Sequence, residues 1–152
     1  MTVERIYLAG NPGAPQVEVQ SANLVLRSGI EGDRYFAAKD EPGRNITLVE
    51  AEEIEAFNAE FNLNHNLSCT RRNLVTRGVR LNALVGKEFR VGAVRLRGVE
   101  LCEPCLGFGK GLASPEVSAA AVVKRFLHRA GIRADILSSG TIAVGSRVEN
   151  AA

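Results

Sequence analysis

Short runs of alternating apolar and polar residues, broken by glycine, dominate the chain and predict a molecule built mainly of strands. "VERIYLA", "VEVQ" and "ANLVLRS" open it, with the turn-rich "GNPGAP" joining the first two. "GIEGDRYFAAKDEPGR" is polar, holds three glycines and a proline, and reads as a long loop of the kind that often carries function. "NITLV" (45–49) is a strand by its β-branched content. It runs into "EAEEIEAFNAEF", where Ile54, Phe57 and Phe61 recur at helical spacing. Glu50, Glu52 and Glu53 in the first turn suit the helix dipole, and Asn62 and Asn64 are placed to end the helix.

Further on, Phe89, Val91, Val94 and Leu96 alternate, with Val99 and Leu101 as the continuation. Gly86, Gly92 and Gly98 interrupt them, a pattern that suggests a curved or closed sheet. A second helix is expected with Ser114 as N-cap, Pro115 at its first position and Glu116 after it. Ala120, Val123, Phe126 and Leu127 would be its buried stripe, with His128, Arg129 and Gly131 at its end. "IRADIL", "SSG" and "TIAVG" read as a closing hairpin. The expected fold class is mainly β (α+β): one barrel-like domain over residues 1–152, with two or three peripheral helices.

A chain of 152 residues can bury one proper core without staples. Its net charge of +2 is too small to imply a nucleic-acid partner, and aromatics at 5% cannot supply base-stacking platforms. No apolar run approaches the ~20 residues of a membrane-spanning helix. The N-terminus lacks a signal-peptide pattern, and three cysteines is an odd number, so free thiols and a cytoplasmic location are expected.

Those cysteines are Cys69, Cys102 and Cys105, the last two in "CEPC". A zinc site would have to complete the pair with His65 and Cys69, which form no second tight knuckle. A thioredoxin-like couple needs a helix at the motif. The "LGFGKG" that follows holds three glycines, each costing about 1 kcal/mol in a helix interior, so no helix is expected there. Buried filler suits Cys69, and Cys102 also fits it. Cys105 differs: Pro104 precedes it, and a glycine-rich loop carrying Lys110 follows, which favours an accessible sulfur.

"TRRNLVTRGVR" gathers Arg71, Arg72, Arg77 and Arg80. Read as a strand, it places Arg71 and Asn73 on one face and Arg72 on the other. Guanidinium groups suit phosphate or carboxylate and would lower the pKa of a nearby thiol; the plainer reading is a solvated strand edge. In "GIEGDRYF", Asp33 is placed either to hold an arginine or to cap a turn. "GFGKG" lacks the hydroxyl residue of a P-loop.

Together these segments resemble the MOSC domain, the family named for the C-terminal region of molybdenum cofactor sulfurases. The stretches that carry the resemblance are "GIEGDRYF", "RNITLVEAEEIEAF", "TRRNLVTRGVRLNALVGKEFRVGAVRLRGVELCEPC" and "HRAGIRADILSSGTIAVGSRVE", in the family's order and spanning nearly the whole chain. The resemblance implies a β-barrel with outer helices and molybdenum cofactor as ligand. It matches the family's characteristic cysteine to Cys105, as a persulfide carrier or molybdenum ligand. Arg71, Arg72 and Asn73 fall where the family lines its cofactor pocket. Asp33, Arg44 and Thr47 lie in or beside the other motifs, and Lys110 follows the cysteine. The implied activity is sulfur or cofactor transfer. The alternatives are a molybdenum-dependent reductase of N-hydroxylated compounds and a non-catalytic anion-binding module. The pyridoxal-phosphate desulfurase domain and the iron–sulfur cysteines found in some relatives do not occur in these residues. A cysteine desulfurase or an electron-transfer protein is therefore the expected partner.

Overall fold

The computed structural model describes residues 1–38 and 41–150. Eleven strands and three helices follow one another along these residues: β1 Thr2–Leu8, β2 Val17–Val19, β3 Ser21–Val25, β4 Gly29–Ile30, β5 Ile46–Glu50, α1 Ala51–Phe61, β6 Leu74–Arg77, β7 Glu88–Val91, β8 Val94–Leu101, α2 Leu106–Leu112, α3 Ala119–Phe126, β9 Ile132–Ile136, β10 Gly140–Ala143 and β11 Val148–Asn150. A single 3₁₀ turn, Leu81–Leu84, lies between β6 and β7. Among the described residues no helix is long and apolar enough to cross a membrane.

Eight strands form one sheet in the order β11-β7-β8-β9-β5-β6-β1-β2, and β10-β3-β4 form a second, smaller one. The large sheet curls until its ends meet. Thr2 bridges Arg147, Val3 N–H donates to Ser146 O at 2.9 Å, and Val148 N–H donates to Met1 O at 2.9 Å. Curling of this kind lets the inward residue of each strand face the others across one apolar interior. Leu48, Leu74, Phe89, Leu96 and Ile132 fill it, each without solvent contact. Gly98 explains one tight point: a Cβ there would stand 2.2 Å from Leu84 O, so only glycine lets the 3₁₀ turn lie on β8.

β5 and β6 are parallel, joined through α1, whose Ile54 and Phe57 are fully buried as the spacing required. Asn62 ends α1 in the left-handed conformation. A second apolar cluster outside the barrel joins Phe57 of α1 to Leu112 of α2 and Val122 and Phe126 of α3.

Four expectations differ from the structure. The last helix begins after Ser118, whose hydroxyl accepts from Ala121 N–H, whereas Ser114 belongs to a small turn bridging Val117. The later start rotates the stripe: Val122 and Phe126 are buried, while Ala120 and Leu127 are exposed. The closing hairpin does not form, because β9 pairs with β5 and β8 while β10 pairs with β3 in the other sheet. A helix does follow Cys105. Gly109 packs α2 so closely on α3 that a Cβ would stand 2.5 Å from Ala119 O, and this contact outweighs the poor helix propensity. Finally, Arg71 is left-handed (φ 59°), so the strand reading of 71–73 fails and β6 starts only at Leu74.

Candidate functional site

Cys105 is exposed and lines a cleft of about 280 Å³, where the segment 69–72 ahead of β6, α2 and two N-terminal loops converge. It is the residue from which α2 departs. Its sulfur closes no cap hydrogen bond within normal geometry, yet it lies in the field of the helix's first amides. The Phe108 N–H is the largest influence and holds the thiol below its ordinary range. Partial burial opposes it, the Gly107 N–H and Cys105's own N–H add to it, and the Arg72 guanidinium contributes least. The lowering expected from a nearby arginine is present, but it is the smallest of the causes, and the backbone does most of it.

Arg72 is occupied elsewhere. Its Nε donates to Ala130 O (2.9 Å), Nη1 to Thr70 O (3.3 Å) and Nη2 to Cys102 O (2.9 Å), and its guanidinium stands 5.2 Å from the centre of the Phe108 ring. Its own turn and two segments distant in sequence are pinned to one planar fork, a task lysine cannot copy. Burial makes this guanidinium easier to deprotonate than an exposed one, though arginine remains charged. Its face still borders the cleft.

Arg34, which the motif reading passed over, is the second cationic wall. Asp33 is buried and accepts from Ala9 N–H (3.1 Å), Arg34 Nη1 (3.1 Å) and Tyr35 N–H (3.4 Å), so it both caps the turn and holds an arginine. Arg34 Nη2 donates to Arg71 O (3.0 Å), and Arg71 Nη2 to Ala14 O (2.8 Å), which ties the Pro12–Gly13 loop to the cleft. The signal was available: an Asp-Arg pair between glycines in a long loop. Thr70 adds a buried hydroxyl with no partner among the described residues.

The remaining sequence candidates lie apart from the cleft lining. Asn73 and Thr47 are inside the sheet, bonded to each other. Arg44 pairs with Glu41 at 4.0 Å, and Lys110 is exposed in the last turn of α2. Cys69 borders the cleft from within, its thiol pushed up to about 12 by burial. Cys102 is buried just past the end of β8, and both it and Cys105 are free thiols. Among the described residues no three of His, Cys, Asp and Glu gather as a metal set, and His65 faces a different cleft.

A family model for the MOSC domain matches residues 33–149, a stretch that includes Asp33, the arginine segment and Cys105. The chain belongs to the MOSC domain family. That family is associated with molybdenum cofactor binding. In three dimensions this MOSC domain is similar to the YuaD protein of Bacillus subtilis, with a TM-score of 0.84, 18% identity, and coverage of 97% of this chain and 93% of that one. It is also similar to YiiM of Escherichia coli, with a TM-score of 0.71, 17% identity, and coverage of 100% and 70%. YiiM of Geobacillus stearothermophilus gives a TM-score of 0.74 at 12% identity, with coverage of 99% and 75%. Identities this low establish a shared fold. Among curated proteins none matches the MOSC domain described here.

Proposed function

We propose that the cleft binds molybdenum cofactor and that the protein acts in sulfur or cofactor transfer, with Cys105 as the sulfur that ligates the metal or carries the transferred atom. The observation that supports this reading most is the reachable Cys105 thiol, held below its ordinary pKa, in a cleft bordered by Arg34, Arg71 and Arg72.

The residues suit such a ligand. A thiolate is the soft donor molybdenum favours. The unpartnered Thr70 hydroxyl is a polar anchor awaiting a bond, and Gly107 and Gly111 keep one wall clear of side chains. Cys105 would hold the metal, while Arg34, Arg71 and Thr70 would hold the polar pterin and its phosphate. Bound there, the cofactor supplies a metal centre able to exchange oxygen or sulfur ligands.

The chain's own step is sulfur acceptance. The Cys105 thiolate attacks the outer sulfur of a donor persulfide, a new S–S bond forms on Cys105, and the donor's thiolate leaves. The pKa depression by the Phe108 and Gly107 amides keeps more Cys105 in the attacking form near neutral pH.

Molybdenum and pterin are measured per chain in protein purified from a host that makes the cofactor, beside Cys105→Ser. Stoichiometric metal that disappears in the variant supports ligation. Metal-poor protein that takes labelled sulfur from a cysteine desulfurase on Cys105 supports carriage. Protein that holds no metal and takes up no label would overturn the reading.

A further inference from the structure

The segment 65–72 borders two clefts. Residues 69–72 line the one at Cys105, while 65–68 line a second of about 610 Å³ between α1 and the β1–β2 pair. This is the size range of small-molecule sites. Most of its polar groups are already satisfied. The Asn58 side chain donates to His65 O (2.8 Å) and accepts from His65 N–H (3.1 Å), and Asn66 accepts from Ser68. Glu55 is paired with Arg77 (3.0 Å) and Arg5 with Glu18 (3.3 Å).

Gln16 is the exception. Its side-chain oxygen and nitrogen are both sealed from solvent, and neither has a partner among the described residues. A protein that buries an amide this way leaves one donor and one acceptor unused side by side, an arrangement native structures seldom keep without a reason. Around it, the His65 ring stacks on Phe57 (6.0 Å between centres, 26° between planes). Burial and then Glu18 push the Tyr7 hydroxyl up to about 12, so that ring stays neutral. The charges on the rim cancel in pairs, so nothing there favours a phosphate over a neutral molecule.

We infer that this cleft is a second binding site, for an uncharged planar heterocycle that presents a hydrogen-bond donor and acceptor on one edge, of the nucleobase type, read by the amide of Gln16 once its side chain turns out from the cleft wall. An amide matches such an edge with two parallel bonds, as glutamine does with adenine. The site does not depend on the cofactor reading of the Cys105 cleft.

Isotope-labelled protein is titrated with adenosine, guanosine, cytidine and uridine up to millimolar concentration, and the side-chain amide resonances of Gln16 are followed. At least one nucleoside should shift them saturably. Gln16→Leu should weaken that binding tenfold or more while the thermal midpoint holds or rises, and Gln16→Glu should change which nucleoside is preferred. Cys105→Ser should bind as the parent does. The proposal is overturned if no nucleoside shifts the Gln16 amide, or if Gln16→Leu binds equally well. Nucleoside monophosphates binding tenfold tighter than the nucleosides would overturn the neutral-ligand assignment.

Discussion

Thr47 and Asn73 close a reciprocal pair between the parallel strands β5 and β6. The Thr47 hydroxyl accepts from Asn73 N–H (3.0 Å) and donates to Asn73 Oδ1 (3.2 Å), which also accepts from Thr47 N–H (3.1 Å). Asn73 Nδ2 then reaches Tyr7 O (3.2 Å) on β1, so one side chain joins three strands. Asn73→Ala orphans a buried N–H, a hydroxyl and a carbonyl. It should cost about 3 kcal/mol or more in denaturant unfolding, whereas Thr47→Val should cost roughly 1–2 kcal/mol. Equal, small losses would show that the pair does not hold the strands.

Thiol reactivity should separate the three cysteines. At neutral pH iodoacetamide should modify Cys105 first, with Cys69 and Cys102 protected until the protein unfolds, as read by peptide mass spectrometry. The pH midpoint of Cys105 alkylation should lie below that of a free cysteine in an unfolded peptide. Arg72→Ala should shift it only slightly, since Arg72 is the smallest of its causes.

The same Arg72→Ala change should instead be felt in stability. Ala130, Thr70 and Cys102 each lose a charged donor, and the loss should reach about 3 kcal/mol or more. Arg72→Lys should recover only part of it, because one ammonium cannot meet three carbonyls spaced for a fork.

Cys69 makes an alkaline prediction with a definite sign. Its folded pKa is about 12 against an ordinary 9.0, so the folded state prefers the neutral thiol. The unfolded chain loses this proton first, and stability falls as pH rises from 9 towards 12. The slope for this one group is at most about 1.4 kcal/mol per pH unit. Cys69→Ala should flatten that part of the curve relative to the parent; an unchanged difference across the window would refute the burial effect.

Two glycines of α2 should respond in opposite ways. Gly109→Ala forces a Cβ to within 2.5 Å of Ala119 O. It should destabilise by about 1–3 kcal/mol and slow Cys105 alkylation as α2 is displaced. Gly111 has nothing within 4 Å of its would-be Cβ, so Gly111→Ala should stabilise by up to about 1 kcal/mol.

The barrel, α1 and the reachable Cys105 were legible from alternation, helical spacing and the sulfur's neighbours, all local signals. What escaped was set by contacts between remote segments. α2 forms because Gly109 meets α3, and no propensity argument over "LGFGKG" contains α3. The helix cap moved from Ser114 to Ser118 because two serines four residues apart offer equal local chemistry. Arg34 was hidden because a single guanidinium becomes notable only once Asp33 and Arg71 O are seen to hold it. Asn73 was placed at the pocket by the resemblance alone, whereas in the fold its side chain turns into the sheet to meet Thr47.

The fork of Arg72 gathers carbonyls from positions 70, 102 and 130, the last two 30 and 58 residues away along the chain. Closing contacts of such sequence separation costs loop entropy, which the rest of the fold must offset for this corner to hold. The thiol chemistry at Cys105 rests on the amides of α2, a helix that forms against α3, so a peptide spanning only residues 65–112, which lacks α3, should show ordinary cysteine reactivity.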